Sequence, residues 1–302
     1  MKKQIFKRQN IAQLHKKKYL AREKREFMGA MLFLLPSLLG VCYFVLFPLG
    51  DAVRRSFFDA MGNHFVGCEN YRSVFKNTAF QLAAANTARF IGVCIPVLIG
   101  LSLVIALLIR KTVFGKDFFK TSFLLPMVIP VASMVVLWRL FFSKQGLFNL
   151  FLSQTSIIPQ DWMNTKYSFY ILVFSYIWRN LGYDVILWLA GLSAIPQELY
   201  EAAQVDGAGA FCCFWNITIP QLYPSLFVIS VLSILNSFKV FREAYLIAGS
   251  HPNDAIYMLQ HLFSNWFANL DLQKLCAAAV VVAGVIMGLI LILQIAWGKE
   301  EF

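Results

Sequence analysis

Two stretches of this sequence carry polar side chains at a spacing that a ligand could use, each inside a run of apolar residues. Asn180, Tyr183 and Asp184 recur at i, i+3 and i+4, so a helix would place an amide, a phenol and a carboxylate on one face. Gly182 falls within the same turn. Ser233, Asn236 and Ser237 repeat that spacing, with Lys239 after them. Such stripes can hydrogen-bond a polyhydroxylated solute along a passage, and they can equally act as polar glue between packed helices. Arg179 and Asp184 are five residues apart; at about 100° per residue they point roughly 140° apart and cannot easily neutralise each other. Arg139, beside Trp138 near the end of another apolar run, reads as a side chain that snorkels to the headgroups.

A third group is acidic. Between Arg179 and Lys239 there is no lysine or arginine, while Glu198, Glu201 and Asp206 stand together in one connecting segment. Enzyme chemistry finds no comparable cluster. Gly115-Lys116 lacks the earlier glycine of a phosphate-binding loop and is followed by Asp117, and no His-Glu-x-x-His is present. His15, His64, His251 and His261 are scattered singly over predicted surface segments, and the six cysteines show neither metal spacing nor a disulfide framework. The expectation is a chain without cofactor or metal and without catalysis of its own.

These residues must be positioned by membrane helices. The chain has 302 residues and is 59% hydrophobic with only 14% charged, against roughly 25% charged in a soluble domain. Its mean hydropathy is +0.62. Six apolar blocks are long enough to cross a hydrocarbon core, at Ala30–Gly50, Ala83–Ile109, Phe118–Phe142, Ser168–Leu192, Leu222–Phe241 and Cys276–Trp297. Continuous runs of this length predict helices, because backbone groups in lipid must be satisfied within the segment. The fold class expected is therefore an all-α membrane protein with six transmembrane helices. Prolines at positions 36, 48, 96, 126, 130, 196, 220 and 224 predict kinks or breaks near span ends.

The net charge of +11 does not point to nucleic acid, since ten of the 27 Lys and Arg lie between Lys2 and Arg25, just before the first span. Basic residues stay in the cytoplasm, so both termini are expected inside, in a plasma membrane. The predicted organisation is a basic cytoplasmic tail over 1–29, a six-helix transmembrane domain over 30–297 and a short cytoplasmic tail over 298–302. External segments are expected near 51–82, 143–167 and 242–275. Internal ones are expected near 110–117 and 193–221. The first span is expected to be retained, being longer than a signal h-region and lacking a cleavage site.

The acidic loop then lies in the cytoplasm and breaks the charge rule. Gln197–Val205 has good helix formers after a proline, and Asp206-Gly207 suits a helix end and chain reversal. A short helix across the mouth of the bundle could dock in the basic groove of a soluble partner; the plainer alternative is an acidic connection. Glu201-Ala202-Ala203, three residues, Gly207, nine residues, then Ile217-x-Ile219-Pro220 resembles the EAA motif of binding-protein-dependent ABC importer permeases. Isoleucine at Ile219 replaces the usual leucine, and Cys212-Cys213 interrupts the spacer. Phe65–Tyr71 with Asn86-Thr87, Leu124–Pro130 with Trp138, and Leu181-Gly182-Tyr183 with Ala190–Leu192 are similar to the carbohydrate-uptake branch, and to its first permease subunit.

The resemblance implies a type I importer permease fold, with Glu201 pairing to an ATPase surface and Gly207 making the turn. It also implies a second homologous permease, two ABC ATPase subunits, an extracytoplasmic solute-binding protein, a sugar ligand and a bacterial inner membrane. A rival reading from the residues alone is a self-sufficient secondary transporter or channel, with Arg179 and Asp184 in ion coupling. An integral-membrane enzyme is the weakest alternative, for want of a clustered catalytic set.

Overall fold

A computed structural model describes residues 27–111, 116–153, 159–248 and 252–297. The basic tail over 1–26 with His15, the residues around Gly115, His251, and the end of the chain over 298–302 lie outside them. Among the described residues the protein is helical, with a single antiparallel bridge between Phe58 and Phe65.

The helices are α1 (Phe27–Ser56), α2 (Glu69–Lys76), α3 (Thr78–Lys111) and α4 (Lys116–Val128). They continue with α5 (Val131–Phe142), α6 (Leu147–Leu152), α7 (Ser168–Ala194) and α8 (Gln197–Val205). After a helical run from Ala210 to Gln221 come α9 (Tyr223–Ser237), α10 (Phe241–Ala248), α11 (Leu259–Ala268) and α12 (Leu272–Trp297). Two π turns, Cys42–Leu46 and Phe214–Thr218, stand in the same register before Pro48 and Pro220. A proline cannot supply the N–H of an α-helical bond, and the wider turn lets the helix continue past it.

Four helices are long and apolar enough to span a membrane: Phe27–Ser56, Thr78–Arg110, Tyr223–Leu246 and Leu272–Ala296. The third predicted span is not one straight helix. Its two parts meet at 91° across Ile129-Pro130, where Pro130 adopts an extended ψ of 138°, and counted as one broken span they make a fifth. Proline clashes with the preceding turn, so the break falls where the sequence places Pro130. The fourth predicted span is α7, whose 27 residues measure about 40 Å. It is the most enclosed helix, packed by α3 on one side and α4 on another, and it carries polar residues instead of a uniform apolar surface. The fifth predicted span runs past Phe241, through a 3₁₀ turn at Phe238–Val240, into α10.

The core forms three clusters along the bundle. The middle one gathers Phe90, Cys94 and Leu98 of α3 with Met134, Trp138, Leu172 and Tyr176. Trp138 donates its indole N–H to Ser175 at 2.9 Å, and Trp188 donates to Ser102 at 3.0 Å, so both buried indoles are satisfied across helix pairs. At one pole, Val74 and Phe80 pack on Leu259, Leu262, Trp266 and Ala277. At the other, Ile109, Leu192, Ile195 and Leu222 close around Trp188.

The predicted external segments meet at the first pole. Asn70 donates to the carbonyls of Ser56 and Phe58, Asn86 to those of Asp254 and Tyr257, and Asn253 to that of Asn164. His261 differs from its expected surface position. It is wholly buried on α11, because the segment after α10 folds back as an amphipathic helix against α3 and α12. A Cβ added at Gly284 or Gly288 on α12 would meet nothing within 4 Å in this chain.

Candidate functional site

α7 supplies the centre of the site, and α9 with its continuation α10 supplies the facing wall. Between them lies a cavity of about 210 Å³ lined by Tyr176, Arg179, Asn180, Asn236, Arg242 and Glu243, with Met127 of α4 and Val240 closing it. Arg179 and Asp184 do not pair. Arg179 instead donates from Nη1 to Glu243 Oε1 at 2.7 Å, joining the middle of α7 to the first turn of α10. Asp184 is 2% exposed and accepts from Ser233 Oγ at 3.2 Å. Tyr176 donates to the carbonyl of the same Ser233 at 3.1 Å.

Asn180 and Asn236, one from each predicted stripe, share the cavity wall; Asp184 and Ser233 are brought into direct contact beside it. Asn180 also donates to the carbonyl of Tyr176 one turn back, which fixes its rotamer. Ser237 is buried and returns its hydroxyl to Ile234, and Tyr183 is half-buried outside the lining. Gly182 is buried where an added Cβ would run into the backbone carbonyl of Phe123, so it lets α4 and α7 touch. Glu243 and Arg242 were placed by sequence in an external loop. The signal that could have found them is Arg179 itself, a mid-span cation with no partner within its own helix.

At the opposite pole, α8 has no fully buried residue. Its end is a Schellman closure. Ala208 N–H donates to the Ala203 carbonyl at 2.8 Å and Gly207 N–H to Gln204 at 3.0 Å, with Gly207 at φ +81°. Glu201, Ala202 and Asp206 are exposed, Ala203 is half-exposed, and Leu199, Val205, Phe211 and Trp215 add exposed apolar surface around the acidic patch.

The helix is nevertheless tied to the bundle. Tyr200 shares a hydrogen bond of 2.9 Å with Thr218 Oγ1, and the Arg110 guanidinium stacks over its ring at 5.3 Å. Ile217 packs into the pole cluster beneath, and Pro220 begins the path into α9. Tyr200, Thr218 and Arg110 form an anchor that no spacing in the sequence announces, because its members lie on three elements.

Residues 98–298 match the family model described as the binding-protein-dependent transport system inner membrane component. The chain is 32% identical over 251 residues to the trehalose/maltose transport system permease protein MalF of Thermococcus litoralis, covering 80% of this chain and 84% of that one. It is 30% identical over 264 residues to the arabinooligosaccharides transport system permease protein AraP of Bacillus subtilis, covering 85% and 84%. In shape it is similar to a chain of a bacterial ABC transporter involved in the import of the acidic polysaccharide alginate, with a TM-score of 0.79, 22% identity, and 92% and 98% of the two chains aligned. A multi-pass helical chain with a cavity between α7 and α9 and a capped helix at one pole, matched by this model over two-thirds of its length, belongs to the family of binding-protein-dependent transport system inner membrane components.

Proposed function

We propose that the chain is a membrane-spanning subunit of an ATP-driven importer for a sugar or sugar-like solute, passing it through the cavity between α7 and the α9–α10 wall by alternating access. The relatives' sugar substrates support the solute class, and the amide and carboxylate lining offers both donors and acceptors to hydroxyl groups. Six passes, with both termini and residues 193–221 in the cytoplasm, account for the collection of the predicted external segments at the other pole.

The observation that carries the reading is α8: an exposed acidic helix with a Schellman cap, at the pole away from the segments predicted to be external, held by Tyr200 to the end of α3 and to the root of α9. A separate ATPase gripping Glu201 there would pull on Tyr200 and Thr218. The run through Pro220 would then turn α9 and change which side the cavity faces. The full assembly comprises a second homologous permease, two ATPase subunits and an extracytoplasmic solute-binding protein. Only the ATPase hydrolyses a bond.

The test reverses one charge. Glu201→Lys should leave the chain in the membrane and abolish recovery of the ATPase with it, with sugar uptake falling at least about tenfold, the scale of one charge pair turned repulsive. Full coupled uptake by that variant would overturn the docking role. Uptake by proteoliposomes holding this chain alone without ATP would move the assignment to a secondary transporter.

A further inference from the structure

Glu243 has a role that its ion pair does not exhaust. Its side chain is 5% exposed, and one oxygen, Oε1, accepts from Arg179 at 2.7 Å. The other oxygen, Oε2, is buried without a hydrogen-bond partner, although Glu243 lines the 210 Å³ cavity. An acceptor on an ionised group is costly to leave unmet, and such groups in native structures are normally matched by a donor. Asn180, Asn236 and Tyr176 share the lining with it, and all can bond hydroxyls themselves.

We infer that Glu243 Oε2 is the acceptor for a hydroxyl of the solute in transit, making Glu243 a specificity-determining residue held in place by Arg179. This rests on the importer reading above and deepens it by naming the group on the solute that the cavity reads. Oε2 can only accept, so the solute presents a donor there, a hydroxyl, and not a carboxylate or phosphate, which would set two anions together. Arg179 holds the carboxylate through Oε1 and leaves Oε2, on a residue that lines the cavity, without a partner. Arg242, in the same lining, offers donors to ring or glycosidic oxygens. A hydrogen bond to a charged acceptor is about twice as strong as a neutral one, and its loss is read as discrimination against a solute lacking that hydroxyl.

The experiment uses the whole importer, with its ATPase and its binding protein, in membrane vesicles. A panel of maltose, trehalose, cellobiose and one uronic-acid disaccharide identifies an imported sugar, whose monodeoxy analogues are then delivered by saturating binding protein. In wild type, one analogue should lose at least about tenfold in transport rate, the scale of one hydrogen bond to a charged group. In Glu243→Gln the parent sugar should fall by a similar factor, and that analogue should become equal to the parent. If Glu243→Gln does not assemble, Glu243→Asp, which keeps the charge but withdraws it, should show the same collapse of discrimination.

Import of a neutral disaccharide with the deoxy pattern unchanged in the variant would overturn the inference. So would import of the uronic-acid disaccharide alone, or full discrimination restored in the reversed pair Arg179→Glu with Glu243→Arg, which would make the pair a strut only. Uptake of the panel sugars that needs neither ATP nor the binding protein would overturn the importer reading, and the inference with it.

Discussion

The turn at Gly207 isolates a single physical cause at one residue. A Cβ there would meet nothing within 4 Å, so space is not the constraint; the backbone at φ +81° is. Left-handed backbone costs an ordinary residue about 1–2 kcal/mol, and asparagine tolerates it better than a β-branched side chain does. Gly207→Val is therefore expected to lower ATP-coupled uptake by about tenfold by loosening the α8 cap, with Gly207→Asn staying within about threefold of wild type. Uptake and ATPase recovery measured on the pair check this, and equal losses in both variants would point to a contact at Gly207 instead of its conformation. Gly207 was legible before folding, since Asp-Gly after a run of helix formers marks a helix end. Glu243 was not legible, because a lone acid beyond a span acquires meaning only from the arginine it meets 64 positions away.

Elements were legible to different degrees. Gln197–Val205 was expected as a short helix and is one to the residue, because local propensity, a leading proline and a trailing glycine agree. α11 was not expected at all, since an amphipathic segment of ten residues between spans looks like a loop until the packing surface is known. It buries His261, whose Nδ1 accepts from the backbone N–H of Met258, and burial pushes the imidazole down to about 4. The opened segment takes up its proton near the ordinary value of about 6.5. Stability of this segment from the neutral imidazole is thus complete above pH 6.5 and is lost as the pH falls toward 4, up to roughly 3 kcal/mol at the lower limit. Hydrogen exchange over residues 254–268 should accelerate across that window in wild type. In His261→Gln it should become independent of pH there, after correction for intrinsic exchange; a wild-type segment equally protected at pH 7 and pH 4.5 would contradict the burial of a neutral ring.

Across the whole molecule, two native cysteines report how the poles sit relative to the membrane. Cys68 is exposed after α1 at the pole where the predicted external segments gather, and Cys212 is exposed beyond α8 at the other; Cys94 is buried between helices. A membrane-impermeant maleimide applied to intact cells should label Cys68 and spare Cys212, inside-out vesicles should reverse the pattern, and Cys94 should react in neither. Labelling of Cys212 from outside would invert the proposed orientation and remove α8 from any cytoplasmic partner.

The sequence by itself determined that the chain is helical, membrane-embedded and punctuated by proline, since hydrophobic length and missing backbone donors act locally and need no knowledge of neighbours. It also determined that α8 would form and cap itself, and that Arg179 and Asp184 would not pair, which helical geometry alone decides. The tertiary structure decided what those residues meet instead: Arg179 with Glu243, Asp184 with Ser233, Tyr200 with Thr218 and Arg110, and Gly182 with the backbone of Phe123. Each of these contacts joins residues of different elements, and what selects them is the packing that brings those elements together and the need to give buried polar groups a partner. A pattern of spacing along one helix contains no term for either.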